Sequence, residues 1–216
     1  MLLYNSLGPN PRATRMFLAE KGMTIPQKEL DLMGAENRRP PYTDKNPGGQ
    51  IPALELDDGT VIGETVAIWE YLEEQNPKPP LIGANPKERA ETRMWQRRVE
   101  QRITENLYNG FRFAEGAPLF QARMRIIPEA APGLKQTALD NLQWLDNLLG
   151  GRKHIVPDRF TIADIILYCA LDFGTSVGQQ LPAESKRVKA WFDGVASRPS
   201  AKSSLHPASA QAKIRG

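Results

Sequence analysis

Two neighbouring residues, Glu64 and Thr65, stand where a predicted helix begins, and this position could hold an anion. The first N–H groups of a helix have no partner within the helix, and the helix dipole favours negative charge there. A threonine hydroxyl beside them can serve as a simple helix cap. The cap and the binding role are compatible, so both interpretations stay open at this point.

A second candidate lies in the turn at residues 6–12, which leads into the first predicted helix. Its Ser6 hydroxyl and Asn10 amide can each donate a hydrogen bond. A helix N-terminus with a nearby donor is a combination that stabilises a thiolate. The lone cysteine, Cys169, lies in an apolar run and is predicted to be an inert core thiol. Thiol chemistry would therefore have to use the sulfur of a substrate.

The elements that position these residues begin with an α/β layer. Over residues 1–75, short apolar runs alternate with segments of helical spacing, in the order strand, helix, strand, hairpin, helix. We expect the first strand at residues 1–4, the first helix at 11–21 and the last helix at 64–74. The Asp-Asp-Gly sequence at 57–59, between two apolar runs, predicts the hairpin.

The later part of the chain is predicted to be helical. A proline-rich segment at 75–84 cannot continue a helix and separates a domain at 1–80 from one at 86–216. Thr161 and Asp164 have the spacing of a capping box at the start of an apolar helix. The last residues, 200–216, are rich in Ser, Ala and Lys, and we expect them to be loosely attached.

Composition excludes several classes of protein. The 216 residues carry 28 basic and 25 acidic side chains, a small excess that is not gathered into a nucleic-acid-binding block. No run reaches the roughly 18 apolar residues that span a bilayer, and the first residues lack the pattern of a secretory signal. One cysteine and two histidines argue against a disulfide or a metal site. We therefore expect a cytoplasmic protein with no membrane, nucleic-acid or metal partner.

The residues from 46 to 54, Asn-Pro-Gly-Gly-Gln-Ile-Pro-Ala-Leu, are followed by Asp58-Gly59, Glu64-Thr65 and Tyr71-Leu72. Together with the segments 15–22 and 160–164, this pattern resembles the soluble glutathione S-transferases, in particular the bacterial theta- and nu-like members. The resemblance covers essentially the whole chain. It implies a thioredoxin-like α/β N-terminal domain, an all-α C-terminal domain, glutathione as co-substrate and a homodimer.

The resemblance also implies a glutathione site. Ile51, before a cis proline, would pair its backbone with the cysteinyl part of glutathione, as an added strand does. Glu64 would take the γ-glutamyl ammonium and Thr65 the carboxylate. A loop residue, Asn37, would contact the glycyl end, and Arg38 is the alternative residue for this contact. The implied set is Asn37, Gln50, Ile51, Pro52, Glu64 and Thr65.

Three groups are candidates for the donor to the glutathione sulfur, because the usual hydroxyl position of the family falls on Gly8. Asn10 falls where the nu-like members carry an asparagine, and we favour it. Ser6 is the alternative hydroxyl, and backbone N–H groups alone are a third. Tyr4 lies within the first strand and is expected in the core.

Apolar residues recur every fourth position from Trp95 to Phe111 and predict a long amphipathic helix. For the electrophile, the resemblance implies a pocket lined from this helix by Tyr108, Phe111 and Arg112. The predicted activity is transfer of glutathione to small hydrophobic electrophiles, with disulfide or peroxide reduction as a further activity. The alternative is a regulatory or assembly module that has lost catalysis. Gly8 favours that alternative, and the retained motifs at residues 50–52 and 64–65 argue against it.

Overall fold

The computed structural model describes residues 1–216, and the first part of the chain folds around a four-stranded sheet. Its strands are β1 (Leu2–Asn5), β2 (Gln27–Glu29), β3 (Ala53–Glu55) and β4 (Val61–Ile62). They lie in the order β2-β1-β3-β4, with β1 parallel to β2 and antiparallel to β3. Strands β3 and β4 pair antiparallel, so the predicted hairpin is confirmed.

Three helices accompany this sheet: α1 (Pro9–Lys21), the short α2 (Tyr42–Lys45) and α3 (Thr65–Gln75). Helices α1 and α3 pack through the stacked rings of Phe17 and Trp69, whose centroids lie 5.1 Å apart. The Trp69 indole N–H also donates to the Thr14 hydroxyl, at 3.1 Å. These buried contacts fix the position of α1, which follows β1 in the chain.

Helix α1 begins two residues earlier than predicted. Gly8 is its N-cap, with a φ of 148° that few residues other than glycine adopt. The predicted helix start at residue 11 would make Asn10 the cap residue, but Asn10 lies inside the first turn. The correction places the Asn10 backbone N–H, as well as its side chain, at the exposed end of the helix.

The second part of the chain is helical throughout. Its helices are α4 (Pro86–Val99), α5 (Glu105–Arg112), α6 (Ala117–Phe120), α7 (Ala131–Leu149), α8 (Ile162–Ser176), α9 (Lys186–Ala196), α10 (Pro199–Ser203) and α11 (Ser209–Ala212). The predicted long helix is divided into α4 and α5 by a π-helical turn at Glu100–Thr104. Such turns occur often at functional sites. None of the helices is both long and apolar enough to cross a bilayer.

The predicted capping box of α8 is present. The Thr161 hydroxyl accepts from the Ala163 N–H at 3.3 Å, and the Asp164 carboxylate accepts from the Thr161 N–H at 2.9 Å. Asp164 also accepts from the Ile155 N–H and the Trp191 indole, each at 2.9 Å. One buried carboxylate therefore joins the α8 start to a loop and to α9.

The segment between α3 and α4 is held by a buried carboxylate. Glu73 accepts hydrogen bonds from the N–H groups of Leu81, Ile82 and Gly83, at 2.9, 2.8 and 3.2 Å. The Lys21 ammonium lies 3.3 Å from the same carboxylate. These bonds satisfy a proline-rich stretch of backbone that cannot form its own helix.

The prediction of a loosely attached tail is wrong. Ser200, Ala201 and Ser204 are buried. The guanidinium of Arg12 donates to the Ala201 carbonyl at 3.2 Å, and the Arg15 Nε donates to the Ser204 carbonyl at 2.9 Å. The buried Arg12 and the half-buried Arg15 need acceptors, and the tail supplies them.

The fold class predicted from the sequence is confirmed: an α/β layer built on a mixed sheet, followed by an all-helical part. Helix α1 lies between the two, since it packs on α3 on one side and on α8 on the other. Its first turn thus opens toward the space between the sheet layer and the α4–α5 helices.

Candidate functional site

A cleft of about 540 Å³ lies between the sheet layer and the α4–α5 helices. One wall comes from the first part of the chain: Asn10, Ala13, Gln50, Ile51, Pro52, Glu64, Thr65 and Val66. The other comes chiefly from the helices: Gln96, Arg97, Glu100, Thr104, Glu105, Tyr108, Asn109 and Arg112. The structure therefore brings the favoured donor, five of the six residues of the implied glutathione set and two implied pocket residues into one cleft.

Ile51 presents its backbone to this cleft. The Ile51–Pro52 peptide is cis, as the family resemblance implied. Neither the N–H nor the carbonyl of Ile51 has a hydrogen-bond partner within the protein. The preceding Gln50 carbonyl, in contrast, accepts from the side chains of Tyr42 and Asn46. The loop is thus held in place while one peptide edge stays open for an extended ligand.

The start of α3 forms the neighbouring part of the wall. Glu64 has a φ of 63°, a left-handed conformation that is rare for a glutamate and costs about 1–3 kcal/mol. The Thr65 and Val66 N–H groups have no acceptor, since the first helical bond runs from the Ile68 N–H to the Glu64 carbonyl at 3.0 Å. An exposed carboxylate, a hydroxyl and free helix N–H groups therefore converge on a small volume. That set complements a ligand group bearing both an ammonium and a carboxylate.

The first turn of α1 has few donors of its own. Pro9 and Pro11 carry no N–H, so the free backbone N–H groups are those of Gly8 and Asn10. A side-chain carbon placed on Gly216 would lie 2.5 Å from the Gly8 nitrogen, so the tail covers that group. Asn10 is therefore the remaining donor at this turn. It is exposed, and neither its backbone N–H nor its side-chain amide donates a hydrogen bond within the protein.

Two residues predicted for the glutathione site lie outside the cleft. Ser6 is 2% exposed and its hydroxyl donates to the Leu30 carbonyl at 2.8 Å, so it is corrected from alternative donor to structural residue. Asn37 is also 2% exposed, and its amide donates to the Gly49 carbonyl at 2.6 Å. Through this hydrogen bond Asn37 holds the loop that precedes Gln50. Its rival Arg38 contacts the Gly48 carbonyl, at 3.4 Å.

A smaller apolar cavity, of about 100 Å³, adjoins the cleft. All three implied pocket residues line it, and Tyr108 and Arg112 line the cleft as well. Its lining is Leu7, Gly8, Pro9, Leu32, Met33, Tyr108, Phe111, Arg112, Leu119, Phe120, Phe173 and Ile214. The cavity reaches the N-terminal turn of α1, so an apolar molecule inside it would lie beside a group held at that turn.

Tyr108 and Arg112 form the boundary between cleft and cavity. The Arg112 guanidinium lies over the Tyr108 ring, 5.7 Å from its centroid. Burial raises the pKa of the Tyr108 phenol and lowers the pKa of the Arg112 guanidinium. The phenol consequently stays protonated and can act only as a neutral hydroxyl at this boundary.

Cys169 is fully buried, as predicted for a core thiol. Burial raises its pKa to about 12, which leaves almost no thiolate near neutral pH. The sulfur lies 3.9 Å from that of Met16. No group of three His, Cys, Asp or Glu side chains is arranged to hold a metal ion.

Three polar residues of the wall from α4 and α5, Gln96, Glu100 and Thr104, were not predicted from the sequence. Together with Tyr108 and Arg112 they recur at intervals of four residues, so the five share one row of the helix. Counting backward from Tyr108 in steps of four would have found the three. The π-helical turn at Glu100–Thr104 has no comparable signal in the sequence.

Comparison with known proteins agrees with this geometry. The family model "Glutathione S-transferase, N-terminal domain" matches residues 8–75, and "Glutathione S-transferase, C-terminal domain" matches residues 129–199. Glutathione S-transferase 2 of Saccharomyces cerevisiae is 32% identical over 210 residues, covering 95% of this chain and 89% of its own.

Solved structures give the same result. The structure of Gtt2 from Saccharomyces cerevisiae superimposes with a TM-score of 0.89 and 31% identity, covering 95% of this chain and 100% of its own. A glutathione S-transferase domain-containing protein from Marinobacter aquaeolei has a TM-score of 0.87 and 36% identity, with coverages of 93% and 99%.

Two other relatives carry different names. FtsZ-localized protein A of Caulobacter vibrioides is 29% identical over 202 residues, covering 89% of this chain and 85% of its own. Probable elongation factor 1-gamma 1 of Arabidopsis thaliana is 29% identical over 205 residues, which is 92% of this chain but 47% of its own. The two family-model matches and the identity with the yeast transferase are decisive: the chain belongs to the glutathione S-transferase family, whose co-substrate is glutathione.

Proposed function

We propose that this protein binds glutathione in the cleft and transfers it to small hydrophobic electrophiles. In this proposal the γ-glutamyl group of glutathione contacts Glu64 and Thr65, and its cysteinyl backbone pairs with Ile51. The observation that carries the proposal is the convergence of these residues with Asn10 on one cleft beside an apolar cavity.

The chemistry follows from that arrangement. The dipole of α1 and the two donors of Asn10 favour the thiolate over the thiol, so the thiol proton is released to solvent. The sulfur lone pair then attacks the electrophilic carbon, and a leaving group such as chloride departs with the electrons of its bond. Tyr108, held neutral, can donate to the oxygen of a nitro or carbonyl substituent on the electrophile.

A disulfide or peroxide substrate would use the same thiolate without an enzymatic cysteine, because Cys169 is inert and buried. An assay with two substrates therefore tests the proposal. We expect glutathione-dependent turnover of a chloronitroaromatic compound, of a small disulfide, or of both, and Asn10→Ala should slow whichever is active. Glutathione binding without any turnover would favour the second candidate below.

The second candidate is a regulatory or assembly module, as the names of two relatives suggest for those proteins. The specific observation in its favour is Gly8, which offers no hydroxyl where many members of the family carry one. The free donors of Asn10 favour the enzyme. We further propose that the active form is a homodimer in the cytoplasm, where reduced glutathione is available; light scattering of the purified protein measures the subunit number.

A further inference from the structure

Arg112 is the one charged residue that lines the apolar cavity beside the first turn of α1. It is the last residue of α5, and it lines the cleft as well. Its guanidinium lies over two aromatic rings, 5.7 Å from the centroid of Tyr108 and 5.6 Å from that of Phe120. These contacts hold a positive charge at the junction between the cleft and the cavity.

This charge has no negatively charged partner within the protein. No carboxylate oxygen lies within 4.0 Å of the guanidinium, and its only hydrogen bond runs from Nη1 to the Asn109 side-chain oxygen, at 3.1 Å. Burial and the like charge of Arg38 lower the pKa of the Arg112 guanidinium, which still stays protonated near pH 7. A half-buried, unpaired cation favours an anionic ligand, because such a ligand supplies the missing partner.

Two further arginines lie near this junction. Arg123, in the turn after α6, donates to the carbonyls of Leu32 at 2.7 Å and Met33 at 3.3 Å, and both of those residues line the cavity. Neither Arg123 nor Arg38 has a carboxylate within 4.0 Å. Burial and the charge of Arg38 also lower the pKa of the Arg123 guanidinium. The junction is therefore electropositive, which attracts an anion.

The proposed glutathione site leaves Arg112 free for the second substrate. The residues proposed to bind glutathione, at 50–52 and 64–65, line the cleft and do not line the cavity. Arg38 remains the alternative for the glycyl carboxylate, since its guanidinium has only the contact with the Gly48 carbonyl, at 3.4 Å. The cavity adjoins the turn that is proposed to receive the sulfur, so its ligand is the electrophile, and Arg112 is the charge that this ligand meets.

We propose that Arg112 makes the protein select electrophiles that carry a carboxylate on an apolar ring. This inference rests on the proposed transfer of glutathione. The ring would lie in the cavity, and the carboxylate would accept two parallel hydrogen bonds from the guanidinium. The glutathione thiolate, whose proton has passed to solvent, then attacks the ring carbon that bears the leaving group. A carbon–sulfur bond forms, the carbon–chlorine bond of a chloroaromatic substrate breaks, and chloride departs with the bonding electrons, while the carboxylate is unchanged.

The test compares 4-chloro-3-nitrobenzoate with its uncharged analogue 4-chloro-3-nitrobenzamide. For each compound, kcat/KM is divided by the rate constant of its uncatalysed reaction with glutathione at the same pH, which removes the difference in intrinsic reactivity. The ratio of benzoate to benzamide should be at least about ten in the wild-type protein, since hydrogen bonds to charged groups are stronger than neutral ones. Arg112→Met should bring this ratio close to one, and Arg112→Lys should retain part of the preference. A change in the thiolate population affects both compounds equally and cancels in the ratio.

Arg98→Met is the matched control. Arg98 also lies over an aromatic ring, 5.0 Å from the centroid of Trp95, and has no carboxylate within 4.0 Å, but it lines neither the cleft nor the cavity. Its removal changes the net charge by the same amount and should leave the ratio unchanged. Circular dichroism checks that both methionine variants are folded, and calorimetry measures their affinity for glutathione, which should equal that of the wild type.

The possible failures are distinguishable. A wild-type ratio near one, or an unchanged ratio in Arg112→Met, overturns this inference and leaves the proposed transfer of glutathione standing. Weaker glutathione binding in Arg112→Met with an unchanged ratio also overturns it, because that result assigns Arg112 to a carboxylate of glutathione. If the protein binds glutathione but turns over neither compound, the proposed transfer fails and the inference fails with it.

Discussion

The Nη1 atom of Arg12 lies 2.5 Å from the Oδ2 atom of Asp172, and both side chains are almost fully buried. This ion pair joins α1, whose first turn opens into the cleft, to the central helix of the helical part. Removing one partner leaves a buried charge uncompensated, so Asp172→Asn should lower the free energy of unfolding by about 3–5 kcal/mol. Urea unfolding followed by circular dichroism measures this change.

The same carboxylate offers a matched control. Arg215 lies 2.7 Å from the other oxygen of Asp172, but its side chain is 60% exposed. Because water screens exposed pairs, Arg215→Gln should cost less than about 1 kcal/mol. Equal losses in the two variants would contradict the assignment of the stabilising role to the buried pair.

Asn10 is predicted to stabilise the thiolate of bound glutathione. Asn10→Ala should raise the pKa of that thiol by about one unit, the equivalent of roughly 1.4 kcal/mol. Asn10→Asp should raise it further, because it adds a negative charge beside the sulfur. The ultraviolet absorbance of the thiolate, followed against pH in the complex, gives the value.

Asn109 supplies the control for that experiment, since it is an amide in the same cleft but on the opposite wall. Asn109→Ala should leave the thiol pKa unchanged. An identical titration in wild type and Asn10→Ala would show that the backbone N–H groups of the α1 turn, and not the Asn10 side chain, stabilise the thiolate.

The pH dependence of turnover should report the glutathione thiol and not Tyr108. Burial raises the pKa of the Tyr108 phenol, so it loses its proton at a higher pH than free tyrosine does and stays neutral near pH 7. The value of kcat/KM should rise with pH as the thiolate forms. Tyr108→Phe should lower the plateau and leave the midpoint unchanged; a shifted midpoint would show that the phenol itself titrates.

Cys169 should not react with thiol reagents in the folded protein. It is fully buried and its pKa is raised to about 12, so neither access nor thiolate is available. Mass spectrometry after iodoacetamide treatment should find no adduct in the native protein and one per chain after unfolding in urea. Native labelling at the rate of free cysteine would contradict the buried placement.

Local patterns in the sequence predicted the elements that depend on neighbouring residues. The hairpin at 57–59 and the Thr161–Asp164 capping box follow from residues a few positions apart, and both are present. Glu64 and Thr65 were placed at a helix start for the same reason. The structure adds the left-handed backbone of Glu64, which no propensity predicts.

Features that depend on distant partners were not predictable in this way. The sequence predicts a free hydroxyl at Ser6, but this hydroxyl donates to the Leu30 carbonyl, 24 residues away. The composition of the tail suggests weak attachment, but the carbonyls of Ala201 and Ser204 accept hydrogen bonds from the arginines of α1, 189 residues away in the sequence. A single sequence shows which groups need partners and does not show which distant group will satisfy them.

Calorimetric titration of glutathione into the wild-type and Glu64→Gln proteins measures whether the cleft binds glutathione through Glu64, with Glu74→Gln as the control. Glu74 lies on the same helix, exposed and outside the cleft. If Glu64 holds the γ-glutamyl ammonium, wild type and Glu74→Gln should bind glutathione alike, and Glu64→Gln should bind at least about tenfold more weakly. No heat of binding at millimolar glutathione would contradict the proposed glutathione site, and equal affinity in Glu64→Gln would contradict the role of Glu64.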